Sequence, residues 1–337
     1  MNRKGLCFVV AIVGLMAGTV LGQPVLAPVA VKNLDASTFG DQAVYADATR
    51  IFVASSQGQL LVLARNRSTG FPIVKTFNVG VPLTAVRGDG TNVYVTAGDG
   101  KLRTYRKSTL KLTRTTTVST TLGLRSLAVV GNYVYVAVGQ GEVEADSGKV
   151  YFSAADFGDQ AVEVRIGGNP TGKVYQTSLF QTTVVFNRST TATVGTIANA
   201  GGQMTMKLGG GLLYQTMSPA FTMTNGFWSY STTTLAQTAR LGWSGMGAIS
   251  PVTYQAHAYL VYGDEAGRVG LIDQTDLVNG PFVSIVELSS YTGFIGEGDI
   301  QIRSIWADGL DGLIFASSSW NNNPAAPSFF VVEPTTP

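Results

Sequence analysis

The chain has 337 residues, of which 45% are hydrophobic and only 13% charged, with 40 glycines and one cysteine. Its 23 Lys and Arg nearly balance 21 Asp and Glu. No basic run tracks a phosphate backbone, which argues against nucleic acid as a partner. Low charge with many small polar residues suits an exported β protein better than a cytosolic helical one.

In chain order, the first feature is Met1-Asn2-Arg3-Lys4 followed by an apolar run from Gly5 to Leu21. That pattern predicts a secretory signal over residues 1–22, cleaved after Val20-Leu21-Gly22 and before Gln23. Cleavage removes Arg3, Lys4 and the sole cysteine, Cys7. The mature chain is then formally neutral, and disulfides, thiolate catalysis and Cys-ligated metals are excluded from it. No further apolar span follows Gly22, so no membrane span is expected after signal removal. The expected location is secreted, periplasmic or cell-surface.

A hexapeptide repeat sets the register of the rest. Phe39-Gly40-Asp41-Gln42-Ala43-Val44 returns as Phe157-Gly158-Asp159-Gln160-Ala161-Val162, 118 residues later. Asn66-Arg67-Ser68-Thr69 returns as Asn187-Arg188-Ser189-Thr190, 121 residues later. Short alternating strands recur from Arg50, Thr91, Gly131, Lys173, Gly211, His257 and Gly312. The spacing of 118 is three units of roughly 39 to 40 residues, near the length of a four-stranded propeller blade. Seven such strands predict seven blades. The second unit is clearest: Thr84-Ala85-Val86, Asn92 to Thr96, Lys101 to Arg106 and Lys111 to Val118, separated by Gly-rich or polar turns. Gly in those turns is expected to supply positive-φ positions. The last unit lacks a fourth strand after Phe329-Phe330-Val331-Val332. Ala27-Pro28-Val29-Ala30-Val31 is expected to complete it, leaving no long unpaired edge. The reading is an all-β chain, a seven-bladed β-propeller as one domain over 23–337, with an N-terminal strand closing the last blade.

Asp89-Gly90-Thr91-Asn92-Val93-Tyr94-Val95-Thr96 followed by Asp99-Gly100-Lys101-Leu102 resembles the repeat of YVTN-type and quinoprotein-like β-propellers. The resemblance is weak over the whole mature chain and strongest in four units. It implies architecture rather than chemistry, because such propellers include binding modules, surface-layer proteins, lactonases and dehydrogenases. The repeated Trp docking motif of quinoprotein dehydrogenases is missing, as are the sialidase Ser-x-Asp-x-Gly-x-x-Trp box and an integrin-type calcium loop.

The residues offer little catalytic machinery. His257 is the one histidine. A Ser-His-Asp triad would have to use it, yet it opens a strand where other units carry Arg50 or Asn92, a structural place. Asp41 and Asp159 are read as turn residues, because their side chains suit the backbone of a tight Gly-Asp turn. Arg87-Gly88-Asp89 occupies a turn that every unit makes and is not read as an adhesion signal. The sequons at Asn66 and Asn187 are explained by Asn-rich turns. Loop length is the better clue. Ser218 to Asn225, Ser289 to Gly298 and Ser319 to Pro327 emerge at one end of units five to seven. They supply Phe221, Tyr291, Phe294, Glu297, Trp320, Asn321, Asn322 and Asn323, with Asp299 just beyond. Aromatic faces with amides and carboxylates suit a glycan, peptide or protein partner. The favoured function is a non-enzymatic binding or envelope-associated module without cofactor. The alternative is a propeller hydrolase or lactonase in which Glu297 and Asp299 work with a bound metal.

Overall fold

The computed structural model describes residues 23–34, 38, 42–130, 133–139, 142–143, 150–151, 160–165, 173–176, 183–187, 190, 192–197, 203–217, 226–242, 246–277, 282–288, 300–307, 309, 311–320 and 328–335. These residues are all-β, with one 3-10 turn at Gln274–Asp276. After β1 (Val25–Lys32), the first sheet takes β2 (Val44–Ala46), β3 (Arg50–Ala54), β4 (Gln59–Ala64) and β5 (Ile73–Asn78) in chain order. The second repeats this with β6 (Leu83–Gly88), β7 (Asn92–Ala97), β8 (Lys101–Arg106) and β9 (Lys111–Thr117). Next come β10 (Gly123–Val130) and β11 (Tyr133–Gly139), a separate hairpin of β12 (Glu142–Val143) and β13 (Val150–Tyr151), and β14 (Gln160–Arg165). The third sheet is β10-β11-β14. The fourth holds β15 (Lys173–Gln176), β16 (Thr183–Asn187) and β17 (Thr193–Ile197). The fifth holds β18 (Gln203–Gly209), β19 (Leu212–Met217), β20 (Gly226–Ser231) and β21 (Gln237–Leu241). The sixth holds β22 (Met246–Tyr254), β23 (His257–Asp264), β24 (Arg268–Asp273) and β25 (Phe282–Glu287). The seventh holds β26 (Ile300–Ala307), β27 (Ile314–Trp320) and β28 (Phe329–Thr335), with β1 as its outer strand.

Every sequence-predicted second strand of a unit is therefore a strand. β1 pairs antiparallel with β28, Val25 opposite Thr335 and Lys32 opposite Phe329, the pairing expected of the N-terminal segment. Middle strands of the first sheet are apolar on both faces because that sheet packs against the seventh on one side and the second on the other. Ile51 to Ala54 and Leu60 to Leu63 are buried throughout, whereas β5 and β9 are almost wholly exposed. The cores fall between successive sheets. Phe71, Phe315, Phe329 and Val331 join the seventh to the first. Phe52, Leu60, Val86 and Val93 join the first to the second, and Tyr94, Leu102, Leu124 and Val134 the second to the third. Ile197 and Trp228 join the fourth to the fifth, Tyr214 and Leu260 the fifth to the sixth, and Val261 and Ile302 the sixth to the seventh. Each such side chain is worth about 1.5–3 kcal/mol when fully buried.

Polar side chains also reach between sheets. Ser304 Oγ accepts from Val44 N at 3.0 Å, and Gln42 Oε1 accepts from Leu127 N at 2.8 Å. Thr84 Oγ1 donates to Leu124 O at 2.8 Å.

One correction concerns the repeat itself. Val44 opens the first strand of its sheet, but its counterpart Val162 lies on β14, which pairs with β11 as a third strand. Residues 140–149 are rich in Glu, Asp and Gly, poor β formers, and the strands described between β11 and β14 are the two-residue β12 and β13. β14, carrying Val162 and Val164, takes the place beside β11. Phe39, Asp41, Phe157 and Asp159 lie outside the described residues.

A second regularity was not read from the sequence. The first two strands slip register near the start of β6, β10, β18, β22 and β26. The last two slip within β5, β9, β17, β21 and β25. Bulges add twist and re-aim side chains, and here they recur at matching places.

The turns behave partly as expected. Gly100 has φ 72°, the left-handed region that glycine enters freely. Gly90 does not. Gly88 serves by its size: a Cβ there would stand 2.6 Å from Cε1 of the buried Tyr45 ring.

Candidate functional site

The antiparallel order places the β19–β20, β25–β26 and β27–β28 connections at one end of their sheets. Phe221, Tyr291, Phe294, Glu297, Asp299, Asn321 and Asn322 lie in those connections, outside the described residues. Trp320 ends β27, its backbone opposite Ile300. The structure thus describes what the connections spring from.

That support is polar and buried. Gln301 is 4% and Arg303 5% exposed, and Ser304, Ser317 and Ser318 are fully buried. Arg303 is the extra residue in the β26–β27 bulge, between Ile302 and Ser304. Its guanidinium donates to Gln301 Oε1, and Nη1 lies 3.5 Å from Glu265 Oε1. Asp264 closes β23 with no exposed surface. One of its oxygens accepts from the Ala266 and Arg268 amides at 3.0 Å, the other from Arg268 Nε at 2.7 Å. Burial pushes the Asp264 carboxyl up, against the pull of Arg268 and those amides. A buried charge needs such partners. Thr38 Oγ1 and Ser317 Oγ share a hydrogen bond of 2.9 Å, tying the segment before β2 to β27. The result is a buried, hydrogen-bonded platform of alternating charge at the end of β23, the start of β24 and the start of β26. It presents fixed donors and acceptors and no nucleophile paired with a base.

Sequence reasoning named none of Asp264, Glu265, Arg268, Gln301 or Arg303. The available signal was Gly263-Asp264-Glu265-Ala266-Gly267-Arg268, the same turn chemistry as Gly98-Asp99-Gly100 with Arg103. In both, an Asp pairs with an Arg four residues on.

The other candidates resolve into structure. His257 Nε2 lies 2.9 Å from Asp273 Oδ1, with its ring 4.7 Å from Tyr259. It sits at the β22–β23 turn, the opposite end from the long connections. Arg87 is 8% exposed, donates to the carbonyls of Gln42, Val44 and Val86, and lies 5.2 Å from the Trp306 ring. Asp89 accepts from the Thr91 and Asn92 amides and the Tyr94 hydroxyl, each at 2.7 Å. The Arg-Gly-Asp tripeptide is therefore internal framework. Asn66 Oδ1 accepts from Ser68 N at 3.1 Å and Ser68 Oγ at 2.8 Å, a turn-forming use of the sequon. Among the described residues no group of three His, Cys, Asp or Glu could hold a metal, and no helix is long and apolar enough to cross a membrane.

No protein-family model matches the chain, and no curated protein matches it. Among solved structures it is similar to the computationally designed Ika8 protein. The TM-score is 0.54 at 12% identity, over 87% of this chain and 83% of that one. At that identity the likeness is one of fold alone.

Proposed function

We propose that residues 23–337 form one exported seven-bladed β-propeller of the YVTN-type, quinoprotein-like kind. In this reading it recognises a glycan, peptide or protein through the connections of its fifth to seventh sheets, without covalent chemistry. The observation that carries the architecture is the join between chain ends. β1 completes the sheet of β26 to β28, and cores link the fourth sheet through the seventh to the first, second and third. The platform of Asp264, Glu265, Arg268, Gln301 and Arg303 supports the recognition reading, since rigid scaffolds beneath loops are where binding residues are held.

A glycan and peptide array on the mature protein tests it. Trp320→Ala is expected to abolish the strongest array signals while leaving the melting temperature within a few degrees. Array binding indifferent to Trp320 would remove the site. A crystal structure without seven sheets about one axis would remove the architecture.

A further inference from the structure

The near-zero total charge conceals a strong local excess. Residues 50–125 carry twelve Lys and Arg but only two acidic residues, Asp89 and Asp99. Six of the twelve fall on the β8–β9 hairpin between Lys101 and Arg114, which has no acidic residue. No unbroken basic run is needed for this: the cations are interleaved along two strands, and pairing gathers them.

The register sorts them. Lys107 pairs with Asp47 at 2.9 Å and Tyr45 Oη at 2.7 Å, and Arg103 pairs with Asp99 at 2.7 Å. Arg106, Lys111 and Arg114 are exposed and make no such pair among the described residues. Arg106 stands directly opposite Lys111, and Arg114 opposite Thr104. With strand alternation, all three project from the face that also carries Thr104 and Thr116. Like charges directly opposed across strands destabilise a sheet, so folding alone gives no reason for this pair. Asp89, in the turn after β6 of the same sheet, is occupied by Tyr94 and two amides. β9 is also an edge strand, paired only with β8, and Lys111 to Thr115 are exposed without a break.

We infer that the outer edge of the second sheet binds an acidic polysaccharide lying along β9. Arg106, Lys111 and Arg114 would meet its carboxylate or sulfate groups, and the threonines its hydroxyls. Same-side residues on a strand are roughly 6.6–6.8 Å apart, a spacing that a linear chain of charged sugars can follow. The hairpin offers no exposed aromatic ring on which bases could stack, since Tyr105 is 3% exposed. That favours a polysaccharide over single-stranded nucleic acid. The surface is separate from the connections proposed above, so either reading can fail without the other.

The test uses the mature protein with dextran sulfate, polygalacturonate, neutral dextran, duplex DNA and anionic lipid vesicles. Both acidic polysaccharides should bind with a strong salt dependence, and neutral dextran should not. Arg106→Thr/Lys111→Thr/Arg114→Thr should weaken that binding by about ten-fold or more, with a melting temperature unchanged or raised because an opposed cation pair is gone. Lys173→Thr, on the fourth sheet, and Trp320→Ala should leave it as it is. Undiminished binding by the triple variant would overturn the inference, as would equal binding to neutral dextran. Duplex DNA or vesicles bound more tightly than both polysaccharides at equal salt would overturn the choice of partner.

Discussion

Replacing Leu26 by alanine measures how firmly the first strand of the chain is docked. Leu26 is 5% exposed and packs in the cluster of Val252, Ile302, Phe330 and Val332. Its amide donates to Ser284 Oγ at 2.9 Å, a bond the substitution leaves in place. Burial of this kind costs about 2–5 kcal/mol on truncation to Ala. β1 is an outer strand whose surroundings can partly collapse, so about 2–3 kcal/mol is expected. At roughly 2–4 °C per kcal/mol for large domains, the melting temperature falls by about 5–10 °C. Val25 on the same strand is 48% exposed, and Val25→Ala should change stability by no more than about 0.5 kcal/mol. Urea titration with thermal melts of both variants reads the difference. If Leu26→Ala were as mild as Val25→Ala, β1 would not be held against the seventh sheet in solution.

Three further outcomes follow from the second sheet and its neighbours. Gly88→Ala, driving a methyl into the Tyr45 ring, should destabilise by about 1–3 kcal/mol, read by thermal melting, with Tyr45→Leu relieving part of the loss. Arg87→Lys cannot serve three carbonyls and the Trp306 face with one ammonium. It should lower the melting temperature measurably, whereas a freely exposed Arg-Gly-Asp would tolerate it. The Arg103 guanidinium holds the Asp99 carboxyl below its ordinary value. A depressed carboxylate adds stability that is present above its unfolded pKa of about 3.9 and lost as pH falls through the lower folded value. Asp99→Asn should therefore cost stability at pH 7 and flatten its decline below about pH 4. A decline as steep as the parent's would count against the pair.

The units were legible because the second strand of each is a short apolar alternation after a polar turn, from Ile51 to Phe315. The same pattern, with a spare strand at the start and one missing from the last unit, made the β1–β28 pairing predictable. What failed was the equation of identical hexapeptides with identical places. Val44 and Val162 share a sequence but not a partner, because pairing depends on which neighbour needs a strand, and β12 and β13 were too short to supply one. The bulges were invisible for a related reason: one extra residue at Arg303 or Thr113 leaves no mark in a pattern read strand by strand. The platform around Asp264 was missed because an Asp-Arg turn looks alike whether it ends on the surface or beneath a sheet. The cation row was missed because Arg106, Lys111 and Arg114 are separated by neutral residues in the sequence, and only the hairpin register sets them on one face.

The seventh sheet has a consequence for the order of assembly. β1 leaves the ribosome before any other described strand, and its partner β28 leaves last. Leu26 must wait 258 positions for the serine that receives its amide. Until then the strand's apolar side chains stay in water and its backbone bonds only to solvent, and contacts of such separation form late and slowly. The finished molecule is fastened by its most distant pairing. A chain stalled or clipped before Phe329 would retain six sheets' worth of local structure with both flanks open, a state prone to joining its neighbours rather than itself.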